Sequence, residues 1–289
     1  MGNVLGSIID TALVRGLLLI EHLFPLPARL GAQLPVGPRR AANADPVILV
    51  GGFANAPEGW NEWKRSLEAD GFRVFVFDPP TVGLGDMEQS AQAVADFIAD
   101  VRRRTGSAKV DVIGFSEGGV LARMAVARLG SLGSVDRLIS LASPHRGIGL
   151  RPLFDAISGV GWLRAAMPEA LVQLLTGSEL LRAIEVQDAQ LRLGPKRDPR
   201  APRYASIFSA TTDLIVHPAS SWLPGAWNIP VASDSGRGAG PSHFGMYHLS
   251  DRAYEAARVL LLDGDPRDAV RAGTGDVAAA TASLMGRQE

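Results

Sequence analysis

The sequence predicts an α/β fold in which helices cover both faces of a mostly parallel sheet. Short apolar stretches alternate with longer amphipathic patterns, as a parallel sheet with helical crossovers requires. No internal repeat or low-complexity tract interrupts this alternation. The predicted strands are 47–51, 73–78, 109–114, 136–142, 204–210 and 227–232. The predicted helices are 58–70, 86–105, 117–129 and 251–263.

The composition of each stretch supports its assignment. The strand at 47–51 is apolar and runs into a glycine pair, and the strand at 73–78 alternates valine with phenylalanine. The helix at 86–105 carries an apolar stripe on one face, which predicts that this face packs on the core. The stripe consists of Met87, Ala91, Val94, Phe97, Ile98 and Val101.

Composition also limits the classes of function. The chain has 289 residues, 46% of them hydrophobic, which suffices for one large core and requires no second full domain. A net charge of −1 gives no reason to expect a nucleic acid as partner. The absence of cysteine excludes disulfides and thiolate catalysis and leaves the compartment open. The five histidines show no ligand spacing, so no metal is expected.

The stretch from Lys109 to Arg123 is the most informative, because it reads as a buried strand, a Gly-x-Ser-x-Gly turn and a helix. A nucleophile elbow requires this context, in which a strained turn holds the serine above the sheet at the next helix's N-terminus. Gly114 and Gly118 allow strand and helix to approach closely. Ser116 is therefore predicted to be a nucleophile, and a purely structural glycine turn is the alternative.

A nucleophilic serine needs a base, and the base needs an orienting acid, in the chain order serine, acid, histidine. Asp213 follows the β-rich segment 203–211 and is predicted to lie at the C-terminal edge of the sheet, where functional groups collect. Asp213 is the predicted acid, and an ordinary turn-forming aspartate is the alternative. Asp78 also follows a strand, but it precedes two prolines and is expected to shape a turn.

The choice of base lies between two histidines of the last loop. His243 is the predicted base and His248 is the alternative base, since both precede the helix that starts near residue 251. Chain order disfavours His145, which comes before the acid. His217 follows Asp213 by only four residues and is expected to shape that loop, and His22 has no partner in view.

The segment 46–54 is an apolar strand that ends in Gly51-Gly52 and predicts an oxyanion hole. In enzymes with a nucleophile elbow, one oxyanion donor is the backbone N–H of the residue after the nucleophile. That residue is Glu117 here. The second donor comes from the loop after the early strand, and Phe53 is predicted to supply it. The alternative is a glycine-rich turn that has no catalytic function.

These motifs resemble the α/β-hydrolase superfamily, and more narrowly small bacterial triacylglycerol lipases and esterases. The resemblance rests on the elbow at 114–119, the Ser-Pro-His-Arg-Gly run at 143–147, Asp213 and the Ser-His-Phe-Gly run at 242–245. It extends from about residue 45 to about residue 263 and implies the α/β-hydrolase fold.

Two positions depart from the pattern of that family. Gly51-Gly52 stands where His-Gly is usual, and Glu117 stands where methionine, leucine or glutamine is common. Neither change removes a backbone donor. Glu117 nevertheless places a carboxyl group beside the elbow, where it is expected to tune the pH profile or to disfavour anionic substrates.

The predicted core comprises residues 45–146 and 203–263. Residues 147–202 form a helical insertion, predicted to be a cap or lid whose apolar residues line an acyl pocket. A plain helical excursion packed against the core is the alternative. Residues 264–289 are rich in alanine, glycine, aspartate and arginine and are predicted to be a weakly ordered tail.

Residues 1–44 are predicted to form an amphipathic helical extension followed by a linker. The segment lacks the basic start and cleavage site of a secretory signal, and its interior charges make a poor transmembrane span. A cytoplasmic or membrane-peripheral location is therefore favoured. Residues 1–30 are expected to pack on their own fold, with a membrane surface or a second subunit as the alternative contact.

The resulting hypothesis is a serine hydrolase of the lipase or esterase type that cleaves hydrophobic acyl esters and needs no cofactor. An acyltransferase or a thioesterase would use the same triad. A lipid- or partner-binding module on a hydrolase scaffold is a third alternative, although each catalytic role has a candidate residue.

Overall fold

Six strands form one parallel sheet in the computed structural model. The strands are β1 (Val47–Val50), β2 (Val74–Phe77), β3 (Val110–Phe115), β4 (Val135–Leu141), β5 (Arg203–Ser209) and β6 (Trp227–Val231). Their order in the sheet is β2-β1-β3-β4-β5-β6, and every neighbouring pair is parallel. The predicted fold class is confirmed, with each strand within two residues of its predicted bounds. The structure describes residues 44–53, 57–79, 85–149, 168–192, 198–210, 213, 215–233, 240–248 and 250–275.

The helices of the described residues follow the predicted amphipathic patterns, with several short additions. A 3₁₀ turn at Pro57–Trp60 precedes the first of them. The α-helices are α1 (Asn61–Ala69), α2 (Met87–Thr105), α3 (Glu117–Arg128), α4 (Glu169–Gln173), α5 (Glu179–Arg192), α6 (Pro218–Ser221), α7 (Gly245–His248), α8 (Asp251–Leu261) and α9 (Pro266–Thr274).

Side chains alternate between two hydrophobic layers, one on each face of the sheet. In β1, Ile48 and Val50 pack with α2, α3 and α5, whereas Val47 and Leu49 pack with α1, α8 and α9. All four are fully buried, because a strand inside a parallel sheet is covered on both faces. The apolar stripe of α2 faces the first of these layers, as predicted.

The described part of the insertion, residues 168–192, packs against the core. Leu171, Leu175 and Ile184 are buried in the layer formed with α2 and α3. Gln173 accepts a hydrogen bond from the Met87 N–H at 2.8 Å, which ties α4 to the start of α2. Residues 168–192 therefore pack as the alternative interpretation expects, as a helical excursion against the core. The apolar residues at 150–167 lie outside the described residues, so a cap over the serine stays a prediction.

The prediction of a weakly ordered tail from residue 264 is wrong for residues 266–274, which form α9. The Asp265 side chain caps the helix by accepting the Arg267 N–H at 2.8 Å, and Gly275 ends it with a φ of 69°. The buried residues Ala269 and Val270 face α8 and β6. A helix forms here because proline occupies its first turn and its apolar residues complete the second core layer. Residues 276–289 lie outside the described residues.

The Val270→Ala substitution tests this correction. Val270 is fully buried, so the loss of two methyl groups is expected to lower the free energy of unfolding by about 1–3 kcal/mol. Arg267→Ala, at an exposed position of the same helix, is the matched control and should leave the unfolding midpoint unchanged. Denaturant unfolding measures both variants. Equal midpoints for Val270→Ala and the unmodified chain would contradict the packing of α9.

The predicted extension, residues 1–44, lies outside the described residues apart from Ala44. Within the described part of the chain, every helix is too short or too polar to cross a bilayer.

Candidate active site

Ser116 occupies a strained turn between β3 and α3. Its φ of 52° and ψ of −123° lie in a region that side chains other than glycine rarely adopt. The Ser116 N–H donates to the carbonyl of Leu141 at 2.8 Å, which fixes the turn against β4. The backbone strain therefore falls on the residue that the sequence predicts to be the nucleophile.

The glycines of the elbow are required by close backbone contacts. A Cβ on Gly118 would lie 2.4 Å from the carbonyl oxygen of Val50 and 2.5 Å from that of Gly51. A Cβ on Gly114 would lie 2.5 Å from the nitrogen of Gly119. Strand, turn and helix can approach this closely only with glycine at both positions, as the sequence predicts.

The position of the elbow follows from the strand order. The chain passes from β1 outward to β2 and then returns to the other side of β1 for β3, so a crevice opens between β1 and β3 at their C-terminal ends. Ser116 lies in this crevice. The loop after β1 contacts it directly, since a Cβ on Gly52 would lie 2.7 Å from the Cβ of Ser116.

The structure brings Ser116, His243 and Asp213 together from distant parts of the chain. Nε2 of His243 lies 2.9 Å from Oγ of Ser116, and Nδ1 of His243 lies 2.7 Å from Oδ2 of Asp213. All three residues are at least nine-tenths buried. The distances suit proton transfer from the hydroxyl to the imidazole and stabilisation of the imidazolium by the carboxylate.

Asp213 is held by the backbone that follows it. Its Oδ1 accepts hydrogen bonds from the N–H groups of Ile215, at 2.9 Å, and Val216, at 2.7 Å. Two backbone donors hold the carboxyl group in place and leave Oδ2 free to face the imidazole. With a carboxylate at Nδ1, the neutral imidazole carries its proton there, and Nε2 is available to accept from Ser116.

Aromatic side chains enclose the imidazole. The ring of His243 lies 5.0 Å from the ring of Phe115 and 5.3 Å from that of Phe244, measured between centroids. These apolar contacts exclude water from one side of the ring and restrict its rotation, which preserves the alignment with Ser116.

The other candidate residues lie outside this cluster. His248 is exposed at the end of α7 and packs on Tyr247, with 3.9 Å between ring centroids. His217 caps α6 by accepting the Ala219 N–H at 3.2 Å, consistent with the predicted role in its loop. Asp78 is exposed after β2, the edge strand of the sheet. His22 lies outside the described residues.

The two predicted oxyanion donors are the backbone N–H groups of Glu117 and Phe53. Glu117 is the first residue of α3, so its N–H has no acceptor within the helix. Phe53 follows Gly52, whose backbone contacts Ser116. The role of these two N–H groups as an oxyanion hole remains a proposal.

The Glu117 side chain is fully buried, and neither carboxylate oxygen has a hydrogen-bond partner. Burial raises the pKa of this carboxyl to about 8. The positive end of α3 favours an anion by about 0.3–1 kcal/mol. That gain is smaller than the penalty for burying an unpaired charge.

Sequence reasoning missed a buried polar network behind the elbow. On α3, the guanidinium of Arg123 donates to Asp188 of α5 at 2.7 Å and to Glu185 at 2.9 Å. Asp188 also accepts hydrogen bonds from Arg192, at 2.8 Å, and from the hydroxyl of Tyr204, at 2.7 Å. The positive charges of Arg123 and Arg192 balance the negative charges of Asp188 and Glu185. The network therefore joins the insertion to α3 without an unpaired ion.

His145 belongs to the same network and not to the cluster of Ser116, His243 and Asp213. Its Nδ1 accepts from Arg123 at 3.2 Å, and its Nε2 donates to Oγ of Ser140 at 2.8 Å. Complete burial, followed by the nearby arginines, holds the pKa of His145 well below its usual value. The ring is therefore neutral and links α3 to the end of β4.

A cluster of carboxylates lies at the N-terminal ends of β1, β3 and β4, away from Ser116. Asp45, Asp111 and Asp136 place oxygen atoms within 4.8 Å of one another. Arg137 pairs with Asp111 at 2.7 Å and with Asp136 at 3.4 Å, so protein cations already face these oxygens. The expectation that no metal is needed stays a prediction.

The fold and the geometry of the elbow define the class of protein. The model of the α/β-hydrolase fold family matches residues 45–268. The chain belongs to this family, and the predicted resemblance is confirmed.

Several characterised proteins are similar to the chain. It is 28% identical over 138 residues to a triacylglycerol lipase from Burkholderia plantarii, covering 43% of this chain and 38% of that protein. It is 26% identical over 182 residues to lipase B from Pseudozyma antarctica, covering 62% of this chain and 48% of that protein. The chain thus spans less than half the length of these relatives.

A solved structure of similar fold is the mature lipase of Bacillus licheniformis. It superimposes with a TM-score of 0.57 at 18% identity and covers 79% of this chain and 95% of that one. The lipase B of Aspergillus fumigatus gives a TM-score of 0.58 at 22% identity and covers 87% of this chain and 60% of that one. At these identities the likeness shows the fold alone.

Proposed function

We propose that the protein is a serine hydrolase that cleaves carboxylic esters and prefers hydrophobic acyl groups. The observation that carries this proposal is the buried imidazole of His243, which lies within hydrogen-bond distance of both Ser116 and Asp213. The names of the relatives, triacylglycerol lipase and lipase B, support an ester as substrate. The preference for hydrophobic acyl groups rests on the apolar sequence of residues 147–202.

In the first half of the reaction, Oγ of Ser116 attacks the ester carbonyl while Nε2 of His243 takes the hydroxyl proton. The carbonyl oxygen becomes an oxyanion, stabilised by the backbone N–H groups of Phe53 and Glu117. Asp213 stabilises the imidazolium but keeps its own negative charge. The imidazolium then gives its proton to the leaving alcohol, and an acyl-enzyme forms on Ser116.

In the second half, a water molecule occupies the place of the alcohol. His243 removes its proton as the water oxygen attacks the acyl carbonyl, and the same donors hold the second oxyanion. Collapse of this intermediate breaks the bond to Ser116, which recovers its proton from His243. The products are one carboxylic acid and one alcohol, and the protein returns to its initial state.

Hydrolysis of p-nitrophenyl esters from acetate to palmitate tests the proposal. Ser116→Ala is expected to reduce the rate to the uncatalysed background plus a small residual, because no acyl-enzyme can form. A maximum at medium or long chains would support the hydrophobic acyl preference. Equal rates for the unmodified chain and Ser116→Ala on every ester would refute the proposed function. Ester products formed from added alcohols would indicate an acyltransferase instead.

A further inference from the structure

The carboxyl group of Glu117 has no function in the reaction described above, although its residue directly follows the proposed nucleophile. Its residue directly follows Ser116 and begins α3, and its backbone N–H is a proposed oxyanion donor. The side chain is fully buried, and both carboxylate oxygens lack a hydrogen-bond partner. A buried acid without a partner is unusual and calls for an explanation.

The buried charged groups on the elements that pack against α3 are engaged elsewhere. On α2, Glu88 pairs with Arg128 at 2.8 Å. The first strand, β1, carries no charged residue. The buried charges around α3 are paired as well: Asp188 of α5 with Arg123 and Arg192, Asp111 of β3 with Arg137 of β4, and Asp213 with His243. Among the more exposed charges, Asp100 of α2 pairs with Arg103 and Arg104, Glu185 of α5 with Arg123, and Asp136 of β4 with Arg203.

Burial is therefore the sole cause of the shift that raises the pKa of Glu117 to about 8. At neutral pH the group is a protonated carboxylic acid without charge. Above about pH 8 an unpaired anion would be buried at the elbow, where the low local dielectric strengthens every electrostatic interaction.

We infer that Glu117 is a positioning residue whose carboxyl group must be neutral for the oxyanion hole to work, so that its ionisation switches ester hydrolysis off at alkaline pH. The inference rests on the proposed function. It follows from the placement of a partnerless acid on the residue that would supply an oxyanion donor.

Two effects of ionisation act in the same direction. The carboxylate would repel the negative charge that develops on the substrate carbonyl oxygen in the transition state. It would also compete for the N–H groups at the start of α3, since a partnerless anion seeks the nearest unsatisfied donors. Either effect weakens the stabilisation of the transition state, and neither requires the side chains of Ser116 and His243 to move.

The pH dependence of kcat/KM between pH 6 and 10 tests the inference, with Glu117→Gln as the matched neutral variant. Each profile is normalised to its own maximum and corrected with Ser116→Ala for spontaneous hydrolysis. The unmodified protein should lose activity above about pH 8, by about tenfold per pH unit. Glu117→Gln should hold its plateau across the same range. Parallel profiles for the two proteins would overturn the inference.

A second measurement follows the carboxyl group without activity. Since the pKa of Glu117 is raised in the folded state, folding favours the protonated form, and stability falls as pH rises from about 4.5 to about 8. Glu117→Gln removes this loss, so the Tm difference between variant and unmodified protein should grow through that window and then level off. A constant Tm difference would contradict a neutral buried acid.

The two measurements separate the inference from the function on which it rests. If the unmodified protein hydrolyses no ester at any pH, the proposed function fails, while the Tm series still reports the protonation of Glu117. If ester hydrolysis depends on Ser116 but the two pH profiles coincide, the function stands and the inference fails.

Discussion

His243→Ala is expected to lower kcat for ester hydrolysis by about 10⁴ to 10⁶-fold, as loss of the base does in comparable triad enzymes. The imidazole provides the acceptor 2.9 Å from Oγ of Ser116, and within the described residues no other histidine approaches that oxygen. Without the imidazole, the hydroxyl keeps its proton and is a poor nucleophile. Initial rates on the best p-nitrophenyl ester measure the effect.

His248→Ala is the matched control for this substitution. It removes the alternative base from the same loop, but its ring is exposed and packs on Tyr247. Its kcat is expected to stay within about twofold of the unmodified protein, as for a surface change away from the site. A large loss in His248→Ala together with a small loss in His243→Ala would reverse the assignment of the base.

Asp188→Asn is expected to lower the free energy of unfolding by about 3–5 kcal/mol, which corresponds to a Tm lower by about 6–20 °C. The carboxylate is fully buried and accepts hydrogen bonds from Arg123, Arg192 and Tyr204. An amide of the same size leaves one buried positive charge uncompensated and offers its NH₂ group to cationic donors. Thermal unfolding measures the effect.

Asp268→Asn provides the control for the loss of an acidic charge. Asp268 pairs with Arg271 on the exposed side of α9, and water screens that pair. Its Tm should remain within the error of the measurement. Equal Tm values for Asp188→Asn and Asp268→Asn would contradict a stabilising role of the buried network between α5 and α3.

The sequence predicts the elbow well because its determinants are local. The strand, the two glycines and the start of α3 are contiguous, and their spacing leaves few other conformations. The strands were predictable for a similar reason, since strands buried on both faces are uniformly apolar. Asp213 follows Ser116 by 97 residues and His243 follows it by 127, so only chain order and the position of loops after strands indicated them.

Features that depend on distant contacts were not predictable. Arg123 and Asp188 are 65 residues apart, and a charged residue on a helix is ordinarily expected to face water. Their burial depends on how α3 and α5 pack, which no periodicity encodes. The lack of a hydrogen-bond partner for the Glu117 carboxyl group likewise depends on the packing of several elements around it.

The error at α9 has a different origin. The composition of residues 264–275 suggested disorder, but Asp265-Pro266 is a helix start signal and Gly275 is a helix stop signal. Capping residues at the right spacing were therefore better evidence than low hydrophobicity. Two buried apolar side chains, those of Ala269 and Val270, suffice because β6 and α8 supply the rest of the apolar surface.

The measurement that tests the central claim most directly is mass-spectrometric mapping of a fluorophosphonate adduct on the folded protein. The reagent phosphonylates a serine only when that serine is activated as a nucleophile. One adduct per chain on Ser116, with much slower labelling of His243→Ala, is the predicted result. An adduct on another residue, or no adduct while the protein hydrolyses esters, would contradict the assignment of Ser116 as the nucleophile.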